Sequence, residues 1–374
     1  MSKSRVSETP TARDGCAQKF SKAAALMNDS LSRSTGFREL ERKLITYWTL
    51  ATHSLPHVKT FPTLSVLGKT GTGKSQTLKI VGNFCYRPLL ISLRQMTGPA
   101  IRDAFAECHE GTAVAEEADG AWKDKDGSFE AMLSDRYQRD SAKASHKVPS
   151  GEKDWVRISK PYFGATVVHR RLGFVDAALD GRAIQVRTRA DHSHKYEEFS
   201  EDAPCNAEGR QLIGNLTFTP PKVEQPESVA GRVFDSYRVL LSAAQFCGDH
   251  AFAGQLMPTL LRQTAELKEA QSTEPDGLVL RAIVDAVFGS GIAQWQYVKY
   301  SDLAASIWNN HRFSLQPRQI GPLARELGFE TKVSHGVSVV VPAPATLLRA
   351  CADCEYTDEG IQELRRTVEQ PGIV

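Results

Sequence analysis

Residues Gly68 to Ser75 read Gly-Lys-Thr-Gly-Thr-Gly-Lys-Ser, and no other stretch constrains the fold so tightly. The pattern Gly-x-x-x-x-Gly-Lys-Ser works only between a strand and a helix. Phe61 to Leu67 is a short apolar run leading into it, and Lys74 to Val81 carries a helical pattern away from it. Its glycines let backbone N–H groups turn inward and cradle phosphate oxygens, aided by the dipole of the following helix. On that geometry Lys74 neutralises the β and γ phosphates of ATP and the Ser75 hydroxyl ligates Mg²⁺. Gly68, Thr70, Gly71, Thr72, Gly73 and Gln76 complete the expected nucleotide contacts.

The rest of the first half alternates between strand and helix patterns. Pro88–Leu93 and Thr112–Glu116 read as strands around a helix at Gly98–Cys108, and Phe163–Val168 and Ala183–Val186 as two more strands. Such alternation implies a parallel three-layer α/β sheet. At 374 residues the chain has room for two or three domains. The boundaries expected are a flexible extension over 1–35, an ATPase core over 36–220, a helical lid over 221–272, a further module over 273–345 and a tail over 346–374. Pro220-Pro221 mark the linker before the lid.

No run approaches eighteen apolar residues, so no membrane span is expected. Met1 to Asp14 has no apolar segment of the secretory kind, and a cytoplasmic protein is expected. Seven scattered cysteines then read as reduced thiols. The one close pair, Cys351 and Cys354, lacks the second pair that a zinc site needs. A net charge of +2 leaves any nucleic-acid surface to local arrangement.

Thr112-Ala-Val-Ala-Glu116-Glu117 supplies acids at a strand end about forty residues beyond the glycine loop. Two carboxylates past a strand end can do two jobs: Glu116 holding Mg²⁺ through its water shell, Glu117 orienting the attacking water. Asp119 is a substitute for either, and a solvated loop after a buried strand is the plainer alternative.

With these residues the chain resembles the AAA+ family of ATPases. The resemblance covers roughly residues 60 to 265 and implies oligomeric rings. It places His169, at the end of Phe163-Gly-Ala-Thr-Val-Val-His169, in the sensor position, where the family usually has Asn or Thr. Phe174 to Arg182 is similar to the segment ending in the arginine finger, so Arg182 would complete a neighbouring subunit's site; Arg170, Arg171 and Arg187 are its rivals. Val229 to Ala244 resembles the lid of ATPases from phages, plasmids and integrated elements, with Arg232 at the second sensor position.

Farther on, helix patterns at Gly277–Phe288, Ser301–Trp308 and Ser314–Gly328 precede two strands around Ser334-His335-Gly336. That order is similar to a winged helix-turn-helix, whose third helix enters the major groove. Gln316, Arg318, Gln319 and Arg325 are candidate base or phosphate contacts, joined by Lys332 and His335 on the wing. Four Lys or Arg against two Glu over 311–335 make a thin basic surface, and such modules also dock proteins.

The fold class expected is therefore α/β: a parallel three-layer P-loop (AAA+) domain with a helical lid and a C-terminal winged helix-turn-helix. The function expected is ATP hydrolysis coupled to work on DNA, as a replicative helicase or initiator of a mobile genetic element. Primase, polymerase and other element-encoded proteins are the candidate partners. The alternative is a DNA-bound regulator or loader that recruits a transposase, nuclease or defence effector without unwinding. A motor needs channel loops, for which Lys143, Lys147, Lys153 and Trp155 in the 120–160 insertion are candidates, although a solvated loop has the same composition.

Overall fold

The computed structural model describes residues 10–69, 72–116, 128–149, 155–174, 176–189, 196–289, 295–354, 356 and 359–369. The chain divides into two compact units, Met1–Leu260 and Leu261–Val374.

The first unit is built on a five-stranded parallel sheet. In chain order its strands are β1 (Thr63–Leu67), β2 (Pro88–Ser92), β3 (Thr112–Glu116), β6 (Ala165–Arg170) and β7 (Ala183–Arg187). Their spatial order is β2-β3-β6-β1-β7. β1 lies between β6 and β7, and all five of its residues are buried, as a strand covered on both faces requires. Strands entered from opposite directions meet beside β1, which makes its carboxyl end a place where ligands bind in open α/β sheets. α3 (Lys74–Phe84) and α4 (Gly98–Glu107) join β1 to β2 and β2 to β3.

Between β3 and β6 run α5 (Ser128–Arg136) and an antiparallel hairpin, β4 (Lys143–Pro149) with β5 (Trp155–Pro161). The sequence pattern gives no sign of that hairpin, since 120–152 reads as a polar stretch around one helix. α5 is held by Arg136, which is fully buried and donates to the carbonyls of Phe105, Tyr162, Cys108, Gly111 and Ala165 and to Thr166 Oγ1.

The flexible extension expected over 1–35 is instead a 25-residue helix from Pro10, α1 (Pro10–Ser34), followed by α2 (Glu39–Ala51). Phe20, Ala23, Met27 and Leu31 are fully buried at helical spacing, a stripe that small residues among polar neighbours make hard to see. α1 packs on α7 (Pro204–Ile213), α2 and α3, with Ser30 bonded to Asn206 at 2.5 Å. The lid expected over 221–272 begins with α8 (Gly231–Phe246), which sits directly on α2. Phe218 and Phe246 stack at 4.4 Å beside Phe20, so this helix shares the core of the sheet unit. A four-residue helix, α6 (Ala177–Asp180), precedes β7, and α9 (Phe252–Thr273) contains the division between the units.

The second unit contains α10 (Pro275–Phe288), α11 (Tyr300–His311), α12 (Pro317–Glu326), α13 (Pro344–Asp353) and α14 (Glu359–Glu369). A three-stranded antiparallel sheet has the order β8-β10-β9, from β8 (Val298–Lys299), β9 (Glu330–Ser334) and β10 (Val337–Val341). His335 and Gly336 both have positive φ, the requirement of a tight hairpin turn of the type that matches strand twist. α11 starts one residue before the Ser301 expected from the pattern, behind Lys299. α12 runs continuously through Pro322. The stretch expected as a tail packs on this unit's core through Leu347, Ala350, Cys351 and Ile361. No helix among the described residues is long and apolar enough to cross a membrane.

Candidate functional site

The glycine loop leaves β1 pinned from both sides. Gly68 N–H donates to the Arg170 carbonyl of β6 at 3.1 Å, and Thr188 N–H, just past β7, donates to the Leu67 carbonyl at 2.7 Å. The Thr188 hydroxyl lies 2.5 Å from the Thr72 hydroxyl and bonds Leu67 O, so it braces the loop from within. A Cβ at Gly68 would collide with Thr188 Oγ1, which leaves glycine as the residue that fits. Gly73 has φ +86°, a left-handed conformation that turns the chain into α3.

Lys74 is buried, and its ammonium donates to the carbonyls of Gly68 and Lys69, both at 2.7 Å. The cation thus sits inside the loop that its own helix begins. Ser75 is exposed on the first turn. The Gln76 side-chain oxygen accepts from Phe199 N–H at 3.3 Å, so this residue ties the loop helix to the segment after β7. Thr70, Gly71, Glu117 and Asp119 lie outside the described residues, as does Lys153.

The register of the sheet brings the other candidates into one row. Ala115 pairs with Val168 and Val66 with His169. Glu116 and His169 are therefore level with each other and with Val66, two residues before Gly68. Side chains level across parallel strands share a face, so β3 and β6 deliver an acid and an imidazole to the same side of the sheet at its carboxyl edge.

The arginines separate by position. Arg170 is buried in an ion pair with Glu130 at 2.9 Å and lies 4.5 Å over the Phe174 ring, which commits it to holding α5. Arg187 ends β7 level with Leu67, on the loop's own edge. Arg182 precedes β7, on the opposite edge of the sheet, donating to Ser134 Oγ at 3.2 Å with its guanidinium 5.5 Å from the Tyr137 ring centre. A five-residue strand puts it about 17 Å from its own loop, too far to meet a phosphate there. Arg232, on the first turn of α8, donates to the Ala178 carbonyl at 3.3 Å. It thus faces the α6 segment that leads to Arg182.

No protein-family model matches the chain, and no curated protein matches it. Among solved structures, the chain is similar to one described as "SCCmec type IV Cch - active helicase", at 13% identity over 86% of this chain and 71% of that one, with a TM-score of 0.42. A second is the apo A form of the NrS-1 C-terminal region, at 11% identity over 85% of this chain and 75% of that one, with a TM-score of 0.38.

In the second unit a groove of about 700 Å³ runs between α12 and the β9–β10 hairpin. Arg318, Arg325 and Lys332 all line it, over a floor that includes Gly321, Pro322 and Val337. Lys332 Nζ lies 4.0 Å from the centre of the Tyr297 ring and 2.6 Å from its hydroxyl, an arrangement that holds the cation at the rim. The Gln319 side-chain oxygen accepts from Gln316 N–H at 2.8 Å, closing the first turn of α12. Tyr297 and Thr188 are not among the residues that the sequence singles out. An isolated Tyr or Thr gives no spacing signal, and only the fold shows its partner.

Proposed function

We propose that this chain is an ATP-hydrolysing AAA+ motor that acts on DNA, as the replicative helicase or initiator of a mobile genetic element. The observation that carries the reading is the Gly68–Ser75 cradle at the end of the central strand, with Glu116 and His169 in the adjoining row of the same edge. The residues fit a nucleotide triphosphate: a glycine that admits no side chain, a helix N-terminus and a lysine held within the loop.

Thr72, Gly73 and the loop backbone bind the phosphates, and Lys74 swings from its carbonyl partners to neutralise them. Ser75 and, through the metal's water shell, Glu116 would hold Mg²⁺, which would supply positive charge against the phosphate oxygens. Glu117 orients the attacking water and His169 donates a hydrogen bond on that side. Arg182 completes the site of the next subunit in a ring, with Arg232 beside it. The second unit acts as a winged helix-turn-helix, with Arg318, Arg325 and Lys332 as its DNA contacts.

Displacement of a labelled strand from forked DNA, driven by ATP and Mg²⁺, tests the whole proposal. Wild-type protein unwinds, and Lys74→Ala loses at least about 10²-fold of its hydrolysis, the scale of removing one preorganised electrostatic contact. DNA-stimulated hydrolysis without unwinding would replace the helicase by a loader or regulator. Failure of the wild type to bind nucleotide would remove the reading altogether.

The groove has its own test. Alanine at Arg318, Arg325 or Lys332 should weaken duplex binding and lower the slope of log affinity against log salt by about one for each phosphate no longer neutralised. Anisotropy titrations at several salt concentrations measure this. An unchanged slope in the triple variant would exclude the groove as the DNA surface.

A further inference from the structure

The two edges of the sheet unit carry surface features of opposite charge. On the loop edge, Glu197, Glu198, Glu201 and Asp202 place four carboxylates within six residues. The first three side chains are 64%, 80% and 63% exposed. Their backbone is nonetheless held. Glu197 N–H donates to Arg33 O at 3.0 Å, Phe199 is buried with its N–H on Gln76, and Ser200 O accepts from Asn206 at 2.6 Å. Gln76 follows Ser75 directly, so this acidic segment is anchored to the first turn of the loop helix. Within the chain Glu197 meets Arg33 at 3.3 Å, Glu198 meets Lys79 at 3.9 Å and Glu201 meets Arg210 at 3.4 Å. Exposed pairs of this kind exchange readily for better partners.

On the other edge lies a cavity of about 580 Å³ whose wall includes Lys59, Pro220, Pro221, Lys222, Phe234 and Arg238. Lys59, Lys222 and Arg238 are all exposed. The acids on this wall are Glu224 and Asp235, and Arg238 meets Asp235 in an exposed pair of the same exchangeable kind as those of the acidic segment. Two chains of contacts lead from the elements of this wall toward Arg182. Phe61, two residues past Lys59, donates its N–H to Tyr137 O at 2.9 Å, and the Tyr137 ring carries the Arg182 guanidinium. From the other side Ser236 of α8 bonds the Gly181 carbonyl at 3.4 Å.

We propose that the Glu197–Asp202 segment of one copy docks into the Lys59–Lys222–Arg238 cavity of the next. Features on opposite edges of one sheet cannot meet within a chain, so their pairing is head-to-tail, the symmetry that closes rings. The contact joins the edge bearing one copy's glycine loop to the edge bearing its neighbour's Arg182. It is a preorganised electrostatic latch that selects this orientation over others. The inference rests on the oligomeric ATPase reading and names the surface that makes it possible.

Mass photometry of the full chain with a slowly hydrolysed ATP analogue and Mg²⁺ provides the test. One variant reverses the segment (Glu197→Lys, Glu198→Lys, Glu201→Lys and Asp202→Lys), and the other reverses the cavity (Lys59→Glu, Lys222→Glu and Arg238→Glu). Each alone should need about tenfold more protein to assemble, as several surface pairs turn repulsive together. An equimolar mixture should recover assembly, because each altered surface then meets its complement. Wild-type nucleotide affinity in the separate variants shows that they are folded. Unaltered assembly of both variants, or a mixture no better than its components, overturns the docking surface and leaves the ring reading intact. A wild type that remains monomeric at every concentration overturns both.

Discussion

Arg182→Ala should lower ATP hydrolysis by about 10³-fold while leaving nucleotide affinity unchanged, the effect of losing an arginine that meets transition-state charge from outside the binding loop. The fold supplies the reason for assigning it to a neighbour. Arg182 stands before β7 and the glycine loop stands after β1, strands that run parallel and side by side, so one arginine and one loop of the same chain occupy opposite edges. Ser134 and Tyr137 meanwhile hold the guanidinium on the surface of α5. Arg182→Lys should not restore activity, since an ammonium lacks the planar fork that spans two phosphate oxygens. Mixing is the decisive measurement. Chains with Lys74→Ala and chains with Arg182→Ala are each inactive alone, yet together they create sites with an intact loop from one and an intact arginine from the other. Recovered hydrolysis on mixing establishes action in trans, and a mixture as inactive as its components would dismiss Arg182 as the finger.

The largest effect on stability is expected at Arg136. Its guanidinium is 1% exposed and gathers carbonyls from α4, from the turn before β3 and from the approach to β6. It also lies 4.7 Å over the Phe105 ring. Burial pushes its pKa down to about 10, and the Cys108 thiol beside it acts in the opposite direction. The folded pKa is thus below the unfolded one, so the charge costs stability at neutral pH and the cost is relieved only as pH rises through about 10. The compensating gain is the set of hydrogen bonds. Arg136→Ala keeps the burial of those carbonyls and removes their donor, and should destabilise the first unit by about 3–5 kcal/mol. Arg136→Lys should recover little, having one donor centre for carbonyls that converge from several directions. Urea denaturation followed by tryptophan fluorescence measures the loss. A midpoint close to wild type would show that water replaces the guanidinium and that the network is not a keystone.

How much of the fold is legible in the sequence depends on how local each signal is. The glycine loop and its flanking strand and helix are adjacent in the chain, so their pattern contains its own context. The central parallel strands are legible because both faces are buried and each becomes a largely apolar run, as in Thr112-Ala-Val-Ala. α1 escapes notice because Ala23, Ala24 and Ser30 interrupt the buried stripe of Phe20, Met27 and Leu31. The hairpin β4–β5 escapes it because Lys143 to Pro161 alternates little and is rich in lysine. From sequence Gln76 and Gln319 have outward roles, whereas each spends its side-chain oxygen on a nearby backbone N–H.

By itself the sequence determined that a Gly-x-x-x-x-Gly-Lys-Ser loop at Gly68–Ser75 opens a helix, and that an acidic strand end and a helix–hairpin module accompany it. The tertiary structure decided which groups can meet. It set Glu116 and His169 level beside β1, moved Arg170 out of contention by pairing it with Glu130, and placed Arg182 on the far edge. The reason is physical: local pattern specifies the period and ends of an element, while register and strand order depend on contacts between residues distant in the chain. A parallel sheet fixes those contacts only when it assembles, and with them which side chains share an edge.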